Sequence, residues 1–463
     1  MDGKEVDRAA PSVLAAVATS GLVAALALSP ARPGLGWLVT ALAVAAAVIV
    51  AARRAETSAR KRNPVWAVFA VALIAVGAFR DSRWLFTLCV LTALVAASLA
   101  VAGTSLRGAV EAPINALTRL YWIKRGVQAI RPRGNTRTLL AVAVSAVLLV
   151  VFGGLLVSAD PAFEALVKRL VPTVDGSSFT SVTMFVLAAL FTTGLCWALT
   201  QPQAEFSLKA QRISLRRIEW VLPIGVLVLL FAAFVSVQLP ALFSVVGDLS
   251  YAEYARRGFW QLLVVTALTL GVIGLASRLA PRETSADRAW LRALLGALSV
   301  LSLVIVAGAA ARMWVYQQEY GFTVLRVLVL TCELWLGLVY LLVIVAGVRL
   351  RGSWLPGVVV ATAMATLLGL AVLNPERLIA DGNLDRYERI GRIDYHYLLG
   401  LSADAAPALA RLPEPQRTCV LSWPTRELAA NPDSLLEFNL ARARARGWLA
   451  LTPLPCKDAS FRN

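Results

Sequence analysis

Long apolar stretches recur from one end of the chain to the other, and no other feature narrows the possible folds so far. A helix needs about 20 apolar residues to cross hydrocarbon, because a lipid interior offers backbone N–H and C=O groups no partners outside the helix itself. Eleven stretches meet this, some as short helices with fraying ends: 12–29, 35–52, 64–80, 84–103, 138–158, 178–199, 220–239, 258–277, 291–311, 323–348 and 354–373. With 58% hydrophobic and 16% charged residues over 463 positions, the chain is too apolar for an ordinary soluble surface. The expected fold is all-α, a polytopic membrane bundle of about eleven transmembrane helices with a small helical extracytoplasmic C-terminal domain.

A net charge of +17 would suggest nucleic acid in a soluble protein, but its distribution argues for topology instead. Alternate loops are rich in bases: Arg53, Arg54, Arg60, Lys61 and Arg62; Arg107, Arg119, Lys124, Arg125, Arg131, Arg133 and Arg137; Lys209, Arg212, Arg216 and Arg217; Arg278, Arg282, Arg288 and Arg292; Arg349 and Arg351. The intervening loops hold only Arg32, Arg80, Arg83, Lys168, Arg169, Arg256, Arg257, Arg312 and Arg326. Short basic loops stay in the cytoplasm, so the N-terminus is expected inside and the C-terminal tail outside. The bases then face the anionic inner leaflet of an inner (plasma) membrane, and no nucleic-acid partner is expected. The Arg-over-Lys bias and the Ala, Val and Leu of the spans read as a GC-rich bacterial genome. MDGKEVDRAAPS lacks the features of a signal peptide, so the first span is expected to be retained.

Three regions follow. Residues 1–137 hold N-terminal spans and basic cytoplasmic loops, 138–373 a transmembrane core, and 374–463 an extracytoplasmic helical tail. The first outer turn, with Pro30, Pro33 and Gly34, contains no acid, unlike the polytopic glycosyltransferases that use lipid-linked donors. Residues 106–137 mix bases with Leu120, Tyr121, Trp122 and Ile123, which suits either a helix on the inner surface or a plain basic loop. Asp160 before Pro161 is a helix-start pair, with a ligand role as its alternative. Tyr254 and Arg257 lie in an outer loop, where Tyr ordinarily anchors at the headgroups and a binding role is secondary.

Polar chemistry concentrates between Ala309 and Leu336. A helix continuing past Arg312 would put Arg312, Tyr316, Glu319 and Tyr320 on one face, with Gly321 as a left-handed cap and Thr323 starting the next helix. On that helix Arg326 and Glu333 fall on one stripe, extended by Gly337 and Tyr340. An acid in hydrocarbon costs about 2.5–3.5 kcal/mol on insertion scales and usually faces the bundle. Glu333 is therefore the leading functional candidate, and a packing acid held by Arg326 or a neighbouring hydroxyl is the alternative.

Four ordered segments carry a resemblance: Ser158-Ala-Asp-Pro-Ala-Phe163, Tyr251 to Leu262, Arg312 to Thr323, and Asn374-Pro-Glu-Arg-Leu-Ile-Ala380. Over about residues 150–410 the chain resembles an uncharacterised family of bacterial integral-membrane proteins of the "domain of unknown function" class, number four-one-seven-three. The resemblance implies an inner-membrane polytopic protein and no established activity, so it supplies no catalytic residue. It also implies a longer side chain at Gly382, which admits a break in that helix.

In the tail, Asn374-Pro375 and Asn431-Pro432-Asp433 carry one helix-start signal; the second helix is expected to run through Leu436 and Leu440 to Arg446 and to close at Gly447. Cys89, Cys196 and Cys332 lie within spans as packing residues, while Cys419 and Cys456 would meet in an oxidising compartment and form a disulfide. His396 is the single histidine, so one chain can build neither a His triad nor a multi-histidine metal site. No Walker loop or dinucleotide fingerprint is present; no metal, cofactor or catalytic residue is assigned, and the balance leans away from an enzyme. Three readings remain open: an envelope scaffold or sensor-like module binding an envelope protein through its outer face and tail, a secondary transporter using Glu333 as a coupling acid, and a membrane transferase with an extracytoplasmic site.

Overall fold

The computed structural model describes residues 9–54, 64–103, 122, 123, 125, 176–200, 217–243, 259–350 and 352–449. Asp160, Tyr254, Arg257, Cys456 and the fifth expected span, 138–158, lie outside the described residues. Ten apolar helices follow in order: α1 (Pro11–Ala27), α2 (Leu35–Arg54), α3 (Pro64–Phe79), α4 (Arg83–Ala102), α5 (Gly176–Thr200), α6 (Arg217–Phe243), α7 (Phe259–Leu279), α8 (Ser285–Tyr320), α9 (Val324–Arg349) and α10 (Leu355–Leu373). Eight are long and apolar enough to cross a membrane, and α1 and α3 are shorter apolar helices. Among the described residues there is no strand. The fold is an α-helical polytopic membrane bundle, and ten of the eleven expected spans fall on these helices.

The tail supplies α11 (Pro375–Ile390), α12 (Tyr395–Leu399), a 3-10 turn (Ala403–Ala405), α13 (Ala406–Leu409), α14 (Gln416–Ala430) and α15 (Leu440–Leu449). Asn374 caps α11, its side chain accepting from the Arg377 N–H, with Pro375 in the first turn. The expected start at Asn431 is different: α14 ends there, and α15 begins nine residues later, where Asn439 accepts from the Arg442 N–H. Gly447 lies inside α15 and does not close it. The Asn-Pro signal failed because Asp433 is claimed by Arg442 and Arg446 of the next helix, with Arg32 farther off, as described below.

The chain divides into two compact units. One comprises residues 1–206 with 427–447, the other 207–426 with 448–463. In the first, α1 packs against α2 and α5, the Ser20 hydroxyl donating to Thr192 at 3.1 Å. Val13, Val17, Leu195 and Leu199 are buried there with Trp122 and Trp197, whose rings meet edge to face. In the second, α8 packs against α6, α7 and α9. Thr284 caps α8, and the same acid it holds, Asp287, accepts from Arg217 Nε at 2.7 Å. Trp220, Phe231, Leu291, Leu298, Ile305 and Tyr340 form this core. Leu222, Leu229 and Leu268 stay exposed, as lipid-facing residues do.

Of the span cysteines, Cys89 and Cys196 are buried, as packing residues are, but Cys332 is exposed. It sits one residue from Glu333, so helical geometry turns it off the packed face. Cys419 is buried and disulfide-bonded.

Candidate functional site

In the second unit the polar centre lies where α8 ends and α9 begins. The helix does run past Arg312 to Tyr320, and Gly321 makes the corner at φ +85° and ψ 165°, a region essentially reserved for glycine rather than the left-handed helical cap expected. Thr323 accepts from the Arg326 N–H and starts α9. Arg326 binds back across the corner, donating to the carbonyls of Tyr320 (2.9 Å) and Gly321 and to the Tyr316 hydroxyl (3.4 Å). Its guanidinium lies 4.5 Å from the centre of the Tyr316 ring, which stacks on Tyr320 at 4.9 Å. The expected stripe thus divides: Tyr316, Tyr320 and Arg326 come together, whereas the Glu319 side chain is exposed and only its carbonyl is engaged, by Arg386 Nε at 2.9 Å.

The tail helix α11 grips this corner. Asn383 accepts from the Phe322 N–H at 3.1 Å and donates to the Phe322 carbonyl and to the Ile379 carbonyl, both at 2.8 Å. The Val324 N–H donates to the Tyr397 hydroxyl at 2.7 Å; burial pushes the Tyr397 phenol above its ordinary range, against the lowering effect of that bond. Arg389 donates to the Gln318 side chain at 2.7 Å. The free N–H of Val324, the first residue of α9, and that of Phe322 in the corner are thereby satisfied from the tail. The helix is continuous through Gly382, where a Cβ would stand 2.6 Å from the Phe322 ring. A longer side chain there would require the Phe322 ring to shift.

Deeper in the same unit, Glu333 is 1% exposed on the face of α9 that also buries Leu336, Gly337 and Tyr340. Its Oε1 accepts no hydrogen bond. The charge that acts on it is Arg312, half-buried on α8, and not Arg326, which is spent on the corner. Further along α9 the Tyr340 hydroxyl donates to the Thr266 carbonyl at 2.6 Å, and Thr269, Ser299 and Ser302 are buried on the facing helices. This is a polar column inside an apolar bundle. Chemically, its carboxyl with one unpartnered oxygen can hold a proton. Among the described residues no group of three or more His, Cys, Asp and Glu side chains could hold a metal ion, and His396 is exposed.

A second polar centre, in the first unit, was not foreseen. The Asp433 side chain is buried and accepts from Arg442 Nε at 2.9 Å and Arg446 Nη1 at 2.9 Å, with Arg32 at 3.7 Å. Arg442, itself buried, also reaches Asp81 (2.6 Å), the Pro33 carbonyl (3.0 Å) and the Glu437 carbonyl. Asn439 donates to the carbonyls of Gly77 and Arg80, each at 2.8 Å, and the backbone of Leu35 and Gly36 donates to Phe438 and Leu436. Segment 431–442 thereby covers the turns α1–α2 and α3–α4. The only local trace of this in the sequence is an acid followed by arginines nine and thirteen residues on, which reads as ordinary helix-end charge.

No curated protein and no solved structure matches the chain. A family model described as Domain of unknown function (DUF4153) matches residues 68–412, a number other than the one the motifs suggested. The match takes in α8, the Gly321 corner, Glu333 and the α11 clamp, and ends before Asp433. Because it spans well over half of the sequence, the chain belongs to the DUF4153 family.

Proposed function

We propose that this is a bacterial plasma-membrane protein with its N-terminus in the cytoplasm and its tail outside, acting as an envelope scaffold or sensor-like module that binds an envelope protein through its outer face and tail. The observation that carries this reading is that the tail is no loose arm. Within each unit it is bonded to base-poor turns: 33–36 and 77–81 in one, 319–324 in the other. Those turns are the ones the charge rule assigns to the outside, so within each unit turn and tail make a built surface. On that of the first unit Leu435 is 82% and Phe438 41% exposed, and apolar groups left uncovered beside a rigid polar network suit a protein contact. The tail's cysteines, Cys419 and Cys456, form its disulfide. The test is a photo-crosslinking residue at Leu435 in intact cells. A discrete adduct with one envelope protein is expected, lost with Leu436→Asp and absent from a lipid-facing control at Leu222; adducts with lipid alone would sink the idea.

A second reading, secondary transport, is favoured by the unsatisfied oxygen of Glu333 above the buried hydroxyls of α7–α9, because intramembrane acids of this kind mark proton paths. Proton-gradient-driven uptake into vesicles, abolished by Glu333→Gln with abundance unchanged, is its expected signature. Uptake unaffected by that substitution excludes Glu333 as the coupling acid.

A further inference from the structure

Glu333, nine residues after Val324 and sixteen before Arg349, stands about 14 Å from the corner end of α9 and about 24 Å from its far end at 1.5 Å per residue. Side chains lean toward a helix's N-terminus, which brings the carboxyl nearer the corner still. Its surroundings differ in the two directions. Toward the corner lies half-buried Arg312, whose charge acts on the carboxyl, and beyond it the contact of Tyr316 with Arg326. Away from the corner, Val306 packs over Gly337, 3.5 Å from where a Cβ would stand. One packed cluster continues from there through Ile305, Tyr340 and Leu298 to Leu291, about 22 Å along α8. In that stretch the Tyr340 and Ser299 hydroxyls donate to the carbonyls of Thr266 and Leu295, and Ser302 Oγ is unpartnered, so no relay of hydroxyls crosses it.

We propose that Glu333 is a proton site open to one side of the membrane alone, the side on which the Gly321 corner lies. The inference deepens the second reading above, taking from it the acid but not the transport. A proton needs a single oxygen, and Glu333 Oε1 is buried with no partner. A metal cation needs several ligands, and among the described residues no group of three or more His, Cys, Asp and Glu side chains could hold one; the positive charge of Arg312 opposes it as well. Among the described residues packed against α9, no other charge reaches this depth. α10 contains no titratable residue, and α7 only Arg278 in its last turn. α11 brings Glu376 and Arg386 to the corner end, beside Tyr397 and the Glu319 carbonyl, and Cys332 on α9 itself is exposed, off the packed face. A charge crossing the apolar stretch from Val306 to Leu291 would forfeit its solvation, so the carboxyl loads and unloads past Arg312.

Membrane vesicles holding the full chain, right side out and inverted, are buffered separately inside and outside and treated with a membrane-permeant carbodiimide, which adds to protonated carboxyls. The adduct on the Glu333 peptide is measured by mass spectrometry, with Glu333→Gln as the blank. Reaction of His396→Cys, an exposed position beside Tyr397, with a membrane-impermeant maleimide tells which face of each preparation carries the corner. Alkaline buffer on the corner side is expected to lower the adduct about tenfold per pH unit through the titration, and alkaline buffer on the opposite side to leave it unchanged. Loss driven from the opposite side, or equally from both, overturns the one-sided path; no adduct at any pH overturns the proton site itself. Should Glu333→Gln fold poorly, the mapped adduct of the unaltered chain still decides. A one-sided adduct in vesicles without proton-driven uptake discards transport and keeps this site. Uptake abolished by Glu333→Gln, with an adduct that follows both buffers, keeps transport and discards the one-sided path. Because the maleimide identifies the corner side, these outcomes are independent of the threading.

Discussion

Asp433 and Glu333 show what decides whether a buried acid is structural. Asp433 receives two charge-assisted bonds at 2.9 Å from Arg442 and Arg446, so its desolvation is offset by geometry; Glu333 has one oxygen with no donor at all. Asp433→Asn removes one of the two carboxylates paired with the buried Arg442 and leaves Asp81 at 2.6 Å, so the expected cost lies below the roughly 3–5 kcal/mol of breaking a lone buried pair. The expected result is faster tryptic cleavage at the exposed Arg444 in the intact protein, with Glu414→Gln, an exposed acid, as the unchanged control. Unaltered cleavage would show that the carboxylate contributes little. Glu333 was readable from sequence because its setting is local, an acid in an apolar run. Its electrostatic partner was not, since Arg326 stood closer in the pattern but finds the corner carbonyls, and only three-dimensional packing brings Arg312 to it.

Among the helices, α11 owes its docking to two residue choices on facing sides of one contact. Gly382 admits the Phe322 ring, and Asn383 closes both polar groups of the Phe322 backbone. Gly382→Val is expected to destabilise the clamp by about 1–3 kcal/mol through overpacking, seen as faster hydrogen exchange at the amides of Phe322 and Val324 while those of the α6 interior keep their protection. Exchange unchanged at the corner would mean the ring can move aside. Spans of this kind are legible because hydrophobic length is a property of consecutive residues, which is why α2, α4, α9 and α10 begin and end within two residues of expectation. Tail elements resist such reading. α14 carries Pro424 in its interior, and the Asn431 start signal is overridden because its acid is recruited by arginines of α15.

For the molecule as a whole, sidedness has two independent supports. Counting bases separates the loops into rich and poor sets, and among the described residues the tail's bonds to inter-helix turns that are named above go to the poor set; in the second unit Arg217 and Asp287 join two base-rich turns. A reporter fused after Asn463 is therefore expected to be active only outside, one inserted between Arg282 and Arg288 only in the cytosol, and Cys419 to resist alkylation in intact cells until reductant is added. A cytosolic signal from the first fusion would reverse the threading and remove the oxidising setting the sulfur bridge needs.

The bonds from Asn439 to Gly77 and Arg80 span 362 and 359 residues, and this has a consequence for biosynthesis. At roughly 5–20 residues per second, the hairpin of α3 and α4 is finished on the order of half a minute before the side chain that completes it leaves the ribosome. During that interval the turn carbonyls and Asp81 face water or a chaperone. The α3–α4 turn is therefore completed only when segment 431–442 arrives, although the two helices pack on each other without it.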